Sequence, residues 1–265
     1  MRKYLVMLIG LVVTTVQAQN IQVPNNVYFG DLHLNLDGSA RDKIQKHVDE
    51  LLKHPVYFQV KVDRADTYFP IIERVFKEAG VPDDFKYLAL QESGLVPDAI
   101  SSSQAEGYWQ FKKATATDFG LSVNTNIDER RHIIEASRSA AKYFKQSNAY
   151  YKNWANTLLS YNLGFTGAKA WARPGDADSK NMRITDKTHV YILTFIAHKI
   201  AFENFVGKNP QPAITLKELR AAPGLSLGDI AKAHQTDPVE LEKYNRWLLG
   251  SRVPADKDYT VLIPV

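Results

Sequence analysis

The 265-residue sequence contains no cysteine, and this absence excludes several kinds of site. There is no disulfide, no thiolate metal ligand and no acylated cysteine of the kind that anchors a lipoprotein. Histidine gives metal chemistry little support either, because the seven histidines lack the two-histidine helical spacing with an intervening glutamate that zinc peptidases show. We therefore expect neither a metal nor a cofactor.

Long hydrophobic runs are also scarce, and the one clear run lies at the start. Two cations at Arg2 and Lys3 precede an apolar stretch, and a small-x-small cleavage signal follows at residues 16–18. This stretch is shorter than the ~20 residues that span a bilayer. The pattern predicts a secretory signal peptide over residues 1–18, and hence a periplasmic protein that is not integral to the membrane. A retained N-terminal anchor is the alternative.

The charge favours an anionic partner. The net charge is +4 and the pI is about 9.0, which suits nucleic acid, an acidic membrane surface or the cell wall. The lysines are dispersed rather than gathered into one basic stripe, and export would separate the protein from nucleic acid. We therefore expect a cell-wall polymer and no nucleic acid as the partner.

Hydrophobic periodicity predicts a mainly α protein that ends in a small α+β module. Glycine and proline at positions 207, 210 and 212 interrupt the helical pattern and indicate a linker. Beyond the linker, two short helices and a final strand are expected. The predicted parts are an N-terminal helical extension at 19–63, a helical domain at 64–205, the linker at 206–213 and the α+β module at 214–265.

One carboxylate stands at the end of an apolar helix face. Phe85, Leu88, Ala89 and Glu92 follow the spacing i, i+3, i+4 and i+7 in a helix that stops at Gly94. Partial burial and the negative end of the helix dipole both raise the pKa of such a carboxyl. Glu92 is therefore a candidate general acid, although a glutamate at the rim of a core helix is an equally simple interpretation of this helix alone.

The segments that follow Glu92 are rich in groups that bind sugars. Ser101 precedes residues 107–111, with the sequence GYWQF, and residues 160–164 read SYNLG. Glycine permits close backbone approach, aromatic rings stack on sugar rings, and amides hydrogen-bond N-acetyl groups. Each residue also has a plain structural interpretation, with Trp109 in the core and Asn162 at a helix end. Their order in one chain favours a cleft for an amino-sugar polymer.

These motifs give the chain a family resemblance. Residues 90–94 (LQESG), 107–111 and 161–164 resemble successive motifs of the lytic transglycosylases with a goose-lysozyme-type fold, and most closely those of the membrane-bound lytic transglycosylase D group. The likeness covers roughly residues 64–205 and includes residues 128–131 (DERR). The resemblance implies a lysozyme-like helical catalytic domain that cleaves peptidoglycan.

The resemblance also implies individual roles. Glu92 would be the catalytic residue, with Ser101 and Tyr191 forming hydrogen bonds around it. Gln110, Tyr161 and Asn162 would position the glycan. Trp109 is a further candidate for substrate binding, because its aromatic ring can stack on a sugar. The chain departs from the family pattern at four positions, which are Gln104, Glu106, Leu163 and Lys187.

The implied reaction ends in a 1,6-anhydromuramic acid, and two alternatives stay open. Glu92 would act first as acid and then as base on the bond between N-acetylmuramic acid and N-acetylglucosamine. A hydrolytic muramidase would instead need a second carboxylate, for which Asp98 and Glu106 are the nearest candidates. A catalytically inert wall-binding protein of the same fold is the third interpretation.

The C-terminal module resembles a LysM domain, a small βααβ peptidoglycan-binding unit. The likeness rests on residues 225–232 (LSLGDIAK) and 238–245 (PVELEKYN), which fit its two helices. The leading strand is poorly matched in sequence. The resemblance implies glycan binding, and a packing or spacer role is the alternative.

Overall fold

The computed structural model describes residues 21–208 and 214–265. The predicted signal peptide and most of the predicted linker lie outside these residues. Short 3-10 turns occur at Asp83–Phe85 and Glu129–Arg131. The helices and strands are β1 (Asn26–Phe29), β2 (Leu32–Leu36), α1 (Gly38–Leu52), α2 (Pro55–Ala79), α3 (Lys86–Ser93), α4 (Lys113–Asp118), α5 (Ile133–Tyr151), α6 (Trp154–Ala168), β3 (Asn181–Ile184), α7 (Val190–Glu203), β4 (Leu216–Ala221), α8 (Leu227–Ala233), α9 (Pro238–Tyr244) and β5 (Tyr259–Pro264).

The prediction of a purely helical extension at 19–63 is wrong. Strands β1 and β2 form an antiparallel pair, and β2 also pairs in parallel with β3 from much later in the chain. Alternating burial along β1 and β2 places Val27, Leu34 and Leu36 in the core. Both strands are only four or five residues long, so their period-two pattern was too short to be recognised in the sequence.

The predicted boundary at residue 64 is also wrong, because it falls inside α2. This helix begins with Pro55 in its first turn and continues past Pro70 to Gly80, which adopts φ +69°. Its buried face packs against α5. The helix therefore belongs to the main core along its whole length.

Helix α3 carries Glu92 as the sequence predicts. Phe85, Leu88 and Ala89 are completely buried, and Gly94 ends the helix in the left-handed region at φ 60°. At its start, Asp84 accepts a hydrogen bond from Lys199 of α7 at 2.6 Å. The apolar face and this ion pair fix α3 against α7. Because α3 ends at Ser93, Glu92 lies in its last turn.

Two helix boundaries lie near the site. Helix α7 begins at Val190, because His189 accepts the Tyr191 N–H and caps the helix. Helix α6 ends at Ala168, and residues 169–171 form a turn. This turn follows a break in α6 at Gly164, whose φ of 73° and ψ of 163° are essentially restricted to glycine.

The C-terminal module contains β4, α8, α9 and β5 in the order strand, helix, helix, strand. The two strands pair antiparallel, with Leu219 opposite Val261. Helix α8 opens with a capping box in which Ser226 and Asp229 each bond the other's backbone. Asp237 caps α9 by accepting the Val239 N–H at 2.7 Å.

The loop at residues 104–111, which we call the cleft loop, is shaped by Gly107. A Cβ atom built on this glycine would lie 1.9 Å from the backbone oxygen of Arg130, and its φ is +82°. The sequence predicted a glycine for close backbone approach. The structure shows that the approaching backbone is the protein's own.

We expect Gly107→Ala to destabilise the protein strongly. The new methyl group overlaps the Arg130 carbonyl and the φ is unfavourable, so the expected loss is about 3 kcal/mol or more. Gly80→Ala is the matched control, because its φ is also positive but no atom lies within 4 Å of the added methyl, and about 1 kcal/mol is expected there. Urea unfolding of both variants measures the difference. Equal losses would contradict the steric account.

Candidate active site

A cleft with a volume of about 670 Å³ opens beside the C-terminal end of α3. Its described lining includes residues from α3, the cleft loop, α4, α5 and α6. Among these lining residues Glu92 is the one acid and Lys112 is the one lysine or arginine. Six of the seven sequence-predicted site residues belong to this cleft. Glu92, Ser101, Gln110, Tyr161 and Asn162 line it, and Tyr191 contacts the Glu92 carboxylate.

Burial raises the pKa of Glu92 above its ordinary value. The side chain is half-buried at the end of the apolar face of α3, where the charged form loses solvation. A hydrogen bond from Tyr191 acts in the opposite direction and lowers the pKa. The carboxyl is thus held closer to neutrality than a surface glutamate, and one donor remains to stabilise it when it is charged.

Tyr191 lies in the first turn of α7 and donates its hydroxyl proton to Glu92 Oε1. Burial, followed by the nearby Glu92 charge, raises the pKa of this phenol well above its usual range. The hydroxyl therefore stays protonated and acts as a donor. Gln91 Nε2 also reaches the Tyr191 carbonyl oxygen at 3.5 Å, so α3 and α7 are joined at this point.

Tyr161 and Asn162 lie on α6 at the opposite wall. The Tyr161 hydroxyl donates to the Trp109 carbonyl oxygen at 2.7 Å, and burial together with the Glu92 charge raises its pKa. Asn162 is exposed within the cleft, and its amide bonds to no described residue. Tyr161 therefore fixes the wall to the cleft loop, whereas the Asn162 amide is available to a ligand.

Gln110 and Ser101 line the cleft, and their side chains form hydrogen bonds with neighbouring residues of the cleft wall. The Gln110 amide nitrogen donates to the carbonyl oxygens of Ala99 and Gly107 at 3.0 and 2.9 Å. The Ser101 hydroxyl contacts Ser103 and accepts the Ala105 N–H at 3.0 Å. The hydrogen bond expected between Ser101 and Glu92 is absent from the described contacts, because this turn occupies the hydroxyl.

Trp109 does not stack on a ligand, and that prediction is wrong. Its side chain is completely buried, its Nε1 donates to Ser137 Oγ at 3.0 Å, and its ring lies 5.4 Å from that of Phe76. The indole N–H needs a buried acceptor, and a small hydroxyl on α5 supplies it. The aromatic residues that line the cleft are instead Phe111, Phe119, Tyr143, Tyr161 and Phe165.

Several residues of the site were missed in the sequence. Tyr143 and Gln146 share one face of α5 and line the cleft, and their i, i+3 spacing was the available signal. Ser93 Oγ donates to the Tyr108 carbonyl oxygen at 2.7 Å and so ties the Glu92 helix to the cleft loop. Lys112 is exposed on the cleft wall and forms no ion pair with a residue that the structure describes.

Neither Asp98 nor Glu106 lines the cleft with Glu92. Glu106 is buried, and its carboxylate accepts hydrogen bonds from Arg130 and Arg131, each at 2.5 Å. Asp98 lies 4.0 Å from Arg246 on another surface groove. Neither carboxylate is therefore placed to activate a water opposite Glu92.

The remaining departures from the family pattern have local explanations. Gln104 adopts φ 61°, a conformation in which glycine is favoured. Leu163 lines the cleft beside Gly164. Lys187 is exposed and precedes α7, so it does not alter the contact between Tyr191 and Glu92.

Two absences hold for residues 21–208 and 214–265. No cluster of three or more histidine, aspartate or glutamate side chains suited to a metal ion occurs in this part of the chain. In the same residues, none of the helices combines the length and the apolar character needed to cross a bilayer.

Residues 69–183 match the family model of the transglycosylase SLT domain. The matched region contains Glu92, the cleft loop and residues 161–164, whereas Tyr191 lies just beyond its end. The family match therefore coincides with the part of the chain that builds most of the cleft.

Similarity to curated relatives extends beyond residues 69–183. The chain is 24% identical over 257 residues to the membrane-bound lytic murein transglycosylase D of Escherichia coli strain K12, and equally to that of Escherichia coli O6:H1. Each match covers 89% of this chain but 55% of the relative, so the chain spans about half their length. The chain is also similar to the solved structure of an inactive mutant of the lytic transglycosylase Slt from Pseudomonas aeruginosa, with 20% sequence identity and a TM-score of 0.39. This match covers 54% of this chain and 25% of the Slt chain.

We expect Glu92→Gln to stabilise the fold increasingly as the pH rises. Because the folded-state pKa of Glu92 is raised, folding is penalised once the pH exceeds the unfolded-state value, and the amide removes that penalty. The gain in the free energy of unfolding should be near zero at pH 4. At pH 8 it should be of the order of 1 kcal/mol for each tenfold rise in the proton affinity of Glu92 on folding.

Urea unfolding at the two pH values measures this gain. Glu78→Gln, which removes an exposed carboxylate on α2, is the control and should show no comparable rise. A stability difference that is independent of pH would refute the raised pKa of Glu92.

Proposed function

We propose that this chain is a peptidoglycan lytic transglycosylase. It would cleave the β-1,4 bond between N-acetylmuramic acid and N-acetylglucosamine and leave a 1,6-anhydromuramic acid end. The observation that carries the proposal is a cleft in the SLT domain with Glu92 as the one acid among its described lining residues. The raised pKa of this carboxyl suits proton donation near neutral pH. The names of the curated relatives support the same reaction class.

The first step is protonation of the glycosidic oxygen by Glu92. The carbon–oxygen bond breaks, N-acetylglucosamine leaves with the proton, and positive charge develops on the muramic acid ring. Glycosidases usually pair two carboxylates for this purpose. Since the described cleft lining offers one, we propose that the substrate's own N-acetyl oxygen stabilises the ring, as in substrate-assisted enzymes.

In the second step Glu92 acts as the base. Now charged, it takes the proton of the muramic acid 6-hydroxyl while that oxygen bonds to the anomeric carbon. No water is consumed, and Glu92 returns to its protonated form. Tyr191 supports this step, because its hydroxyl already donates to Glu92 Oε1 and stabilises the carboxylate that forms between the two steps.

The other groups of the cleft would position the glycan. The Asn162 amide has no described hydrogen-bond partner, and the Gln110 amide oxygen is also free of described donors. Both can bond N-acetyl or hydroxyl groups. The rings of Phe119, Tyr143 and Phe165 are partly exposed in the cleft lining and offer the apolar surface on which sugar rings pack.

The proposal extends to the parts of the chain outside the SLT domain. We propose a goose-type lysozyme-like catalytic domain up to residue 205, a periplasmic location after export through residues 1–18, and a LysM-like module at 214–265. The strand–helix–helix–strand order of that module supports the last assignment. Peptidoglycan strands would then be the partner of both parts.

A hydrolytic muramidase is the second candidate, and an inert wall-binding protein is the third. The burial of Glu106 between two arginines and the position of Asp98 outside the cleft count against hydrolysis through either carboxylate. The contact between Tyr191 and Glu92 within an open cleft counts against an inert site.

We expect Glu92→Gln to lower the rate of cleavage of purified peptidoglycan at least a thousandfold, because the amide can neither donate nor accept the proton that the reaction transfers. Mass spectrometry of the wild-type digest should show anhydro ends, each one water lighter than a hydrolysed reducing end. Asp98→Asn is the control and should cleave normally. Reducing ends in the wild-type digest, or turnover by Glu92→Gln, would refute the assignment.

We expect Tyr191→Phe to shift the basic limb of the pH–rate profile upward. The hydroxyl lowers the pKa of Glu92, so its removal keeps the acid protonated to a higher pH, while kcat falls because the intermediate carboxylate loses its donor. Tyr143→Phe removes a hydroxyl that bonds to Ser160 and should leave the limb in place. An unshifted limb in Tyr191→Phe would exclude this role.

A further inference from the structure

The C-terminal module is joined to the SLT domain by backbone hydrogen bonds. The Asp128 N–H donates to the Trp247 carbonyl oxygen at 2.8 Å, and the N–H groups of Leu249 and Gly250 both donate to the Asn126 carbonyl oxygen at 2.8 Å. We call residues 126–132, which receive these contacts, the joint segment. Bonds of this kind fix the relative position of two backbones rather than tether them loosely.

An apolar contact closes the joint. Ile127 belongs to the SLT domain in sequence, yet its side chain is 1% exposed and lies in the module's hydrophobic core with Trp247 and Val253. His132 adds a polar contact, since its Nδ1 accepts the Ile134 N–H and its Nε2 then donates to the Thr260 carbonyl oxygen at 2.9 Å. Burial lowers the pKa of this histidine and keeps it neutral.

The joint segment is connected in turn to the cleft loop. Arg130 donates to Asp128 at 2.6 Å and to Glu106 at 2.5 Å, and all three side chains are buried. Arg131 donates to the other Glu106 oxygen at 2.5 Å. The Arg130 carbonyl group also occupies the space that a side chain at Gly107 would need. Buried charge pairs with full hydrogen bonding hold one geometry, because any displacement leaves a charge unpaired.

The cleft loop then reaches the site. Glu106 and Phe111 exchange two backbone hydrogen bonds of 3.0 and 3.1 Å, which close the loop. Gln110 lies within this closed loop and Phe111 ends it, and both line the cleft. Tyr161 and Ser93 bond to the carbonyl oxygens of Trp109 and Tyr108. The loop is therefore held from the module on one side and from the Glu92 helix on the other.

We propose that the C-terminal module is a positioning element of the cleft, with Ile127, Arg130 and Glu106 as the positioning residues between them. The module fixes the position of the joint segment, and the joint segment fixes the position of the cleft loop. The loop in turn places Gln110 and Phe111 in the same cleft as Glu92. This role rests on the proposed function for its effect on turnover, and it is separate from any glycan binding by the module. A buried glutamate at position 106, where the family usually has a small residue, gives this chain a charged link at that point.

Two pairs of variants in the full-length chain test the proposal. Ile127→Ala opens the joint, and Ile230→Ala removes the same atoms from the module core in α8, where Ile230 is also 1% exposed. Lys257→Met removes the 2.7 Å ion pair to buried Glu129 in the joint segment, and Arg220→Met removes the exposed 2.5 Å pair to Asp258 inside the module. Ile127→Val keeps most of the apolar contact and should restore the wild-type behaviour.

Hydrogen exchange of the amides at residues 104–111 is the first readout. We expect it to rise at least tenfold in Ile127→Ala and severalfold in Lys257→Met, and to stay within twofold of wild type in Ile230→Ala and Arg220→Met. On peptidoglycan, kcat should fall at least fivefold in Ile127→Ala with both limbs of the pH profile in place, because Glu92 and Tyr191 are untouched.

Unchanged exchange in the cleft loop when the joint is opened would overturn the proposal, and so would equal exchange in the joint variants and their controls. If Ile127→Ala does not fold, the comparison of Lys257→Met with Arg220→Met decides. If the wild-type protein fails to cleave peptidoglycan, the proposed function is lost, while the exchange measurements still decide whether the module positions the loop.

Discussion

A single half-buried carboxyl group with one hydroxyl donor is the interaction on which the rest of the site depends. The apolar face of α3 raises the pKa of Glu92, and the Tyr191 hydroxyl prevents the charged form from becoming inaccessible. These opposing effects suit a group that gives up a proton and takes it back. A glutamate without burial would already be charged, and one without the donor would resist the charge that the proposed second step needs.

The walls of the cleft around this carboxyl are held in place by hydrogen bonds within the chain. Ser93 and Tyr161 each donate a hydrogen bond to a carbonyl oxygen of the cleft loop, and Gln110 of that loop donates to the Ala99 carbonyl oxygen. The buried pairs of Glu106 with the two arginines extend the same fixation outward. Preorganisation of this kind favours catalysis, because the groups need not be rearranged when the substrate arrives.

The Glu92 helix and the order of the motifs were predictable from the sequence because they are local. The i, i+3, i+4, i+7 spacing and the stop at Gly94 are properties of one helix, and Phe85 and Leu88 are buried as expected. Trp109 shows the limit of such reasoning. An aromatic residue in a sugar-binding motif suits either a cleft or a core, and only the position of Ser137 on α5 decides for the core.

The sequence by itself therefore determined the mainly helical class, the candidate acid and two of the segments that line the cleft, since each depends on residues close together in the chain. Tertiary structure decided what depends on distant partners. It paired β2 with β3, brought Tyr191 to Glu92 across 99 positions, withdrew Glu106 from the cleft and joined the C-terminal module to residues 126–132. Periodicity reports which face of an element is buried, but it carries no information on which other element covers that face.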